Sequence, residues 1–250
     1  MIMRPSHLII ARFLFDNKEQ IMDRVLITGT SCGIGREAAI KFLEEGYCVY
    51  GLDIKESSIT HYNYYHFVCD VSKEEQLPKL TGIKYIVNNA GIITPQADAI
   101  NVNIIGYINI IETYGNDEKL SAIVNIGSTA SIKGYDNLRY CASQGARDAI
   151  TRWCSNVFGN DPRHILCNSL NVDGIKPDNC SIEDNELCSE EMIANIQELN
   201  ILKKLPTVRD VAEWIYFILV KNTVMTGQVL SIDGELMGAY HYISYKGWDN

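Results

Sequence analysis

Short unbroken apolar runs alternate along the chain with longer stretches in which apolar and charged positions mix. The run "RVLITG" (24–29) ends in glycine and reads as a buried strand. A strand covered on both faces loses the polar–apolar alternation of a half-exposed one. The same reasoning predicts strands over 48–53, 64–71, 83–91, 122–128, 164–171 and 227–234. Between the first two lies "GREAAIKFLEEG" (35–46), with Ala38, Ile40, Phe42 and Leu43 set among charges and Gly46 as a stop, which predicts a helix. Further helices are expected over 99–116, 138–158 and 208–220. Apolar strands alternating with helices predict an α/β fold of three layers, a parallel sheet of about seven strands with helices on both faces. Ligands bind such sheets beyond the carboxyl ends of the strands, so the chemistry is expected just after each strand.

Length and charge narrow this picture. The 250 residues suit one large core, and no linker or repeat marks a second domain. Residues 1–23 read as an extension, 24–250 as the single domain, and 173–206, rich in Asp and Glu, as a lid over the substrate. The apolar stretch "HLIIARFLF" (7–15) is interrupted by Arg12 and falls short of the roughly 20 residues a membrane span needs. No small-residue cleavage site follows it, so it does not read as a signal peptide. The net charge of −9 argues against nucleic-acid or anionic-membrane partners. The 8 cysteines include no C-x-x-C pair. They fit buried hydrophobes in a reducing cytoplasm rather than a metal site.

Candidate chemistry begins at "TGTSCGIG" (28–35), between the first strand and first helix. Gly29 allows a tight turn, while Gly33 and Gly35 let backbone approach a pyrophosphate at a helix N-terminus. Ser31, Cys32 and Ile34 are the loop's other candidate cofactor contacts. A tight strand–helix turn without a ligand is the competing reading. Asp53 ends the second strand, 24 residues after Gly29, where a carboxylate can accept hydrogen bonds from ribose hydroxyls and repel a 2′-phosphate. NAD is therefore favoured over NADP, with nearby Lys55 and a merely solvated Asp53 as counter-arguments.

Seven pieces in one order resemble the classical short-chain dehydrogenase/reductase family: "TGTSCGIG", "CDV" (69–71), "NNAG" (88–91), "NVNIIG" (101–106), "VNIGS" (124–128), "YCASQGA" (140–146) and "TGQVLSIDG" (226–234). The resemblance spans 24 to about 235. It implies a Rossmann-type doubly wound domain, a nicotinamide cofactor, interconversion of alcohols and carbonyls, and a homodimer or homotetramer. Carried over by position, Asp70 and Val71 would hold adenine, and Asn89, Ala90 and Gly91 would line the cofactor. Ile175 would contact the nicotinamide amide. Asn103 matches the residue that supports a proton-relay water, Ser128 the one that binds the substrate oxygen, and Tyr140 the acid/base. Structural alternatives stay open for each: a helix-kink asparagine, a strand-end cap with Ser131 competing for Ser128's place, and a tyrosine that only fills a cleft.

Position 144 departs from the resemblance. A proton must accompany hydride transfer, and a free tyrosine, with a pKa of about 10, is a poor base at neutral pH. A cation about 4 Å away, at an effective dielectric of about 20, favours the phenolate by roughly 4 kcal/mol, or about 3 pH units. The resemblance implies a lysine one helical turn after Tyr140, and the chain has Gln144. An amide keeps hydrogen bonds to a ribose but brings no charge. The enzyme then works with a less acidic tyrosine, or borrows another cation (Arg147 or Lys133), or binds NAD without turnover. Val172 and Asp173 stand where the family has proline–glycine, and the segments before Asn88 and Asn103 are short, which predicts two trimmed helices. The trimmed segments resemble those of some hydroxysteroid dehydrogenase/carbonyl reductase relatives, which implies a secondary alcohol or carbonyl substrate, a hydroxysteroid or similar bulky alcohol. A non-catalytic NAD-binding protein, or a lyase or epimerase with the same cofactor, is the alternative of another class.

Overall fold

Val25, Leu26 and Ile27 of β1 (Arg24–Thr28) are all fully buried, because β1 lies inside the sheet with helices on both faces. The structure is a computed structural model that describes residues 22–93, 98–134, 137–175 and 190–234. Residues 1–21 of the expected extension, the stretch 176–189 of the expected lid and the aromatic tail lie outside the described residues. After β1 come α1 (Gly33–Glu44), β2 (Cys48–Asp53), β3 (Tyr64–Val68) and β4 (Ile83–Asn88). A helical turn, Asp98–Ile100, and a π-helical segment, Asn101–Ile105, lead into α2 (Gly106–Tyr114). Then follow β5 (Ala122–Ser128), α3 (Ala130–Lys133), α4 (Leu138–Gly159), β6 (Leu166–Val172), α5 (Glu190–Leu199), α6 (Val208–Tyr216) and β7 (Val229–Ile232).

All seven strands are parallel, in the order β3-β2-β1-β4-β5-β6-β7. The order reverses between β1 and β4, which places the topological switch, and the crevice that accompanies it, beside Thr28 and Asn88. Successive strand residues point to opposite faces. Val25, Ile27, Val49 and Val124 therefore meet Phe42 of α1 and Ile215 of α6. Leu26, Leu52, Ile86 and Ile123 meet Ile110 of α2 and Phe158 of α4 on the other face.

Two of the predicted helices differ in kind. The expected helix over 99–116 opens as a π-helical segment, where Asn103 is fully buried and bonds both backbone groups of Ile92. The helix expected over 208–220 closes in another π-helical segment, Phe217–Lys221. Strand β3 stops at Val68, short of the expected 71. Asp70 accepts hydrogen bonds from both the amide and the hydroxyl of Ser72, which turns the chain. Between β3 and β4 only a 3₁₀ turn, Glu74–Gln76, remains of a covering helix. The four-residue α3 is too short to show an apolar repeat, whereas α5 falls inside the stretch read only as a lid. No helix among the described residues is long and apolar enough to cross a membrane.

Candidate active site

The glycine-rich loop is built by close approach. Gly29 has φ +75°, a left-handed conformation, and its amide donates to the Leu52 carbonyl at 2.7 Å. A Cβ on Gly35 would fall on the Gly29 carbonyl oxygen, and one on Gly29 would come within 2.7 Å of Asn89 Nδ2. Thr28 Oγ1 accepts the amides of Asn89 and Ala90, each at 2.9 Å, while Asn89 Nδ2 donates to the Thr28 carbonyl at 2.8 Å. The loop after β1 and the "NNAG" stretch after β4 are thus stitched together. Asn89, expected against a cofactor, has its side chain engaged in this stitch, and Thr28 had no functional reading from the sequence. The N-terminus of α1 opens on the loop at Cys32 with no side-chain cap and no acid in its first turn. Its amide donors and positive dipole end suit a phosphate, so the cradle fits a dinucleotide's pyrophosphate. Ile34 packs against the core beneath.

Asp53 lies at the end of β2, beside this loop. Its Oδ2 accepts the Ser31 amide and its Oδ1 the Lys55 amide, both at 2.9 Å. Each oxygen keeps a further lone pair for a ribose hydroxyl. The Ser31 hydroxyl is held by the carbonyls of Lys55 and Glu56. The Asp70 carboxylate is turned toward Ser72, and Val71 is buried in the core formed with α2 and α4. Ile175 packs against the core shared by α1 and α6, immediately before the undescribed part of the lid.

A second cluster gathers at the carboxyl ends of β4 and β5. Asn137 caps α4 by accepting the Tyr140 amide at 3.0 Å, which fixes Tyr140 in the first turn of that helix. The Ser128 side chain faces the Tyr140 phenol, near enough to favour its ionised form. Burial pushes the phenol's pKa above its ordinary value, the Ser128 side chain and the Arg147 charge oppose this, and Asp173 adds to it. Ser131 instead accepts from Asn171, so Ser128 is the serine that faces the phenol. Asn103 Nδ2 reaches Ser143 Oγ at 3.1 Å, and Ser143 donates to the Tyr140 carbonyl at 2.7 Å. Gln144 is fully buried, and its Nε2 lies 3.3 Å from the same Ser143 hydroxyl. Asn103, Tyr140 and Gln144 therefore converge on Ser143, which sequence reasoning missed, and Ser128 faces the phenol from β5. The only signal for Ser143 was its place one turn from Tyr140.

Fold and site together define a dinucleotide-binding type of α/β protein with a phenol, a hydroxyl and two amides grouped at its strand ends. The family model of short chain dehydrogenases matches residues 23–179. L-xylulose reductase from Caenorhabditis elegans is 32% identical over 245 positions, covering 84% of this chain and 94% of that protein. An NAD-dependent glycerol dehydrogenase from Listeria innocua is 26% identical, over 88% of this chain and 96% of its own. A solved structure of ElxO with NADP bound has a TM-score of 0.74 at 27% identity, covering 87% of this chain and 100% of that one. The chain belongs to the short-chain dehydrogenase/reductase family and is an oxidoreductase of that family, acting between alcohols and carbonyls.

Proposed function

We propose that this protein is an NAD(H)-dependent oxidoreductase that interconverts a secondary alcohol and its carbonyl. The observation that carries the reading is the Ser128–Tyr140 pair, held by α4 and β5 at the strand ends beside the glycine cradle. Gly29, Ser31, Cys32, Gly33, Ile34 and Gly35 would hold the pyrophosphate. Asp53 would hold the adenosine ribose, and Asp70 and Val71 the adenine. Asn89, Ala90, Gly91 and Ile175 would line the nicotinamide half. A bound nicotinamide supplies the hydride acceptor or donor. Tyr140 gives its phenolic proton to the carbonyl oxygen in reduction and takes the hydroxyl proton in oxidation. Ser128 donates to the same oxygen and fixes its direction. Asn103 ties Ile92 to Ser143 and so holds the floor of the site. Gln144 would orient Tyr140 or the ribose through the network it shares with Ser143 and Arg147.

The free acceptor capacity and negative charge of Asp53 favour NAD over NADP, although a 27%-identical relative is described with NADP. Two relatives carry names of polyhydroxylated substrates, L-xylulose and glycerol. A small polyhydroxylated alcohol or its carbonyl is accordingly the better-supported substrate class than a hydroxysteroid. The test is NADH absorbance with a panel of sugars, polyols and hydroxysteroids, run with both cofactors. Tight NAD binding without turnover from about pH 6 to 10 would instead make this a binding protein with the tyrosine idle.

A further inference from the structure

Lys133 and Arg147, the two cations that could stand in for the absent lysine, are in opposite situations. Lys133 Nζ lies 2.9 Å from the Asp173 carboxylate, so its charge is matched. Arg147 is 4% exposed, and the acceptors it reaches are neutral. Its Nε donates to the Asn103 carbonyl at 3.1 Å, and Nη1 to the Ile126 carbonyl at 2.9 Å and Gln144 Oε1 at 3.2 Å. Nη2 donates to the Ala90 carbonyl at 3.2 Å, and the guanidinium lies 4.1 Å from the centroid of the Tyr107 ring. Among the described residues no carboxylate pairs with it. Gly91 makes room for it, since a Cβ there would come within 2.5 Å of Nη2. Buried charges are ordinarily paired, because desolvating them is costly. A guanidinium does not escape by losing its proton. The site therefore holds a fixed, unmatched positive charge.

We propose that Arg147 and Gln144 together replace a single lysine: Arg147 supplies the charge that favours the Tyr140 phenolate, and Gln144 supplies the hydrogen-bond donor. The inference rests on the reading of Tyr140 as acid/base. Arg147 donates to Gln144 Oε1, so the amide's oxygen end is fixed and Nε2 is its donor end, 3.3 Å from the buried Ser143 hydroxyl that donates to the Tyr140 carbonyl. Arg147 is thus a positioning residue that also sets a local field. The charged and titratable groups that face the phenol are Arg147 and Cys141 from α4, Tyr107 from α2, and Asp173 after β6. Asp173 disfavours the phenolate, but it is held by Lys133 and by the Thr129 hydroxyl at 2.5 Å. That leaves Arg147 as the unmatched charge of the group.

The test is a pH titration of the Tyr140 ring by NMR of the full chain labelled at tyrosine Cζ, without cofactor, with Tyr140→Phe assigning the signal. Arg147→Met should raise the midpoint by roughly 1–3 pH units, and Arg147→Lys should leave it near wild type. Adding Gln144→Lys to Arg147→Met should bring the midpoint back down. The alkaline limb of alcohol oxidation should move in the same order. An unchanged midpoint in folded Arg147→Met overturns the proposal even if the wild type turns over. A wild type that never turns over, but whose midpoint responds as stated, supports this charge assignment and sinks the oxidoreductase reading instead. Gln144→Lys alone keeps Arg147 and guards against a misfolded variant. Its lysine is repelled by the resident guanidinium, so Tm should fall, and a raised Tm with a lowered midpoint would overturn the proposal.

Discussion

Tyr140 carries its proton at neutral pH, since burial holds its pKa above the ordinary tyrosine value. The protonated form is the one that serves carbonyl reduction. Reduction should therefore be insensitive to pH through neutrality and decline as pH rises through that raised pKa, while oxidation should climb over the same range. Steady-state rates in both directions against pH check this sign. Tyr140→Phe should lower kcat by roughly 10²–10⁴-fold while leaving NAD binding in place, as read by fluorescence titration. Asp53→Asn should weaken NAD and narrow its advantage over NADP, measured as the ratio of the two Kd values. At this scale much was legible. Asn103, Ser128, Tyr140 and Gln144 were named from motif order, and the structure brings them together. The unmatched state of Arg147 was not legible. It depends on four acceptors from β5, α4, the π-helical segment and the loop after β4, which lie far apart in the chain.

Elements with a continuous apolar or periodic signal were read nearly to their ends, as β5 over 122–128 and α4 from Leu138 show. The π-helical segment before α2 was not, because it accompanies a buried Asn103 side chain reaching Ile92, about three turns' length of chain earlier. The glycine loop is an element whose tolerance can be stated in advance. Gly35→Ala places a methyl on the Gly29 carbonyl, which is backbone and cannot swing aside. It should cost both stability and cofactor affinity, read together by thermal unfolding with and without NAD. The N-terminus of α6 carries a reciprocal cap, with Thr207 accepting the Asp210 amide and Asp210 accepting the Thr207 amide. Thr207→Ala should lower stability by about 1 kcal/mol in denaturant unfolding and leave the active-site pH profile unmoved.

At the scale of the whole molecule, protection of the sheet is uneven. Every residue of β5 is buried, whereas none of β3 is. Among the described residues β3 pairs only with β2, and the connection from β3 to β4 supplies a single 3₁₀ turn in place of a helix. Tyr65 and Val68 on this edge are 38% and 55% exposed. Tyr50 and Phe67 close over the gap with an aromatic contact at 6.1 Å between ring centroids. Few buried contacts mean a low local opening free energy. Amide hydrogen exchange should accordingly run from fastest in β3 to slowest in β1, β4 and β5. On the proposed placement of the cofactor, its adenosine end would lie at the β2–β3 edge and the proton transfer at the buried centre. The molecule would then open where the cofactor enters while staying closed where the proton moves.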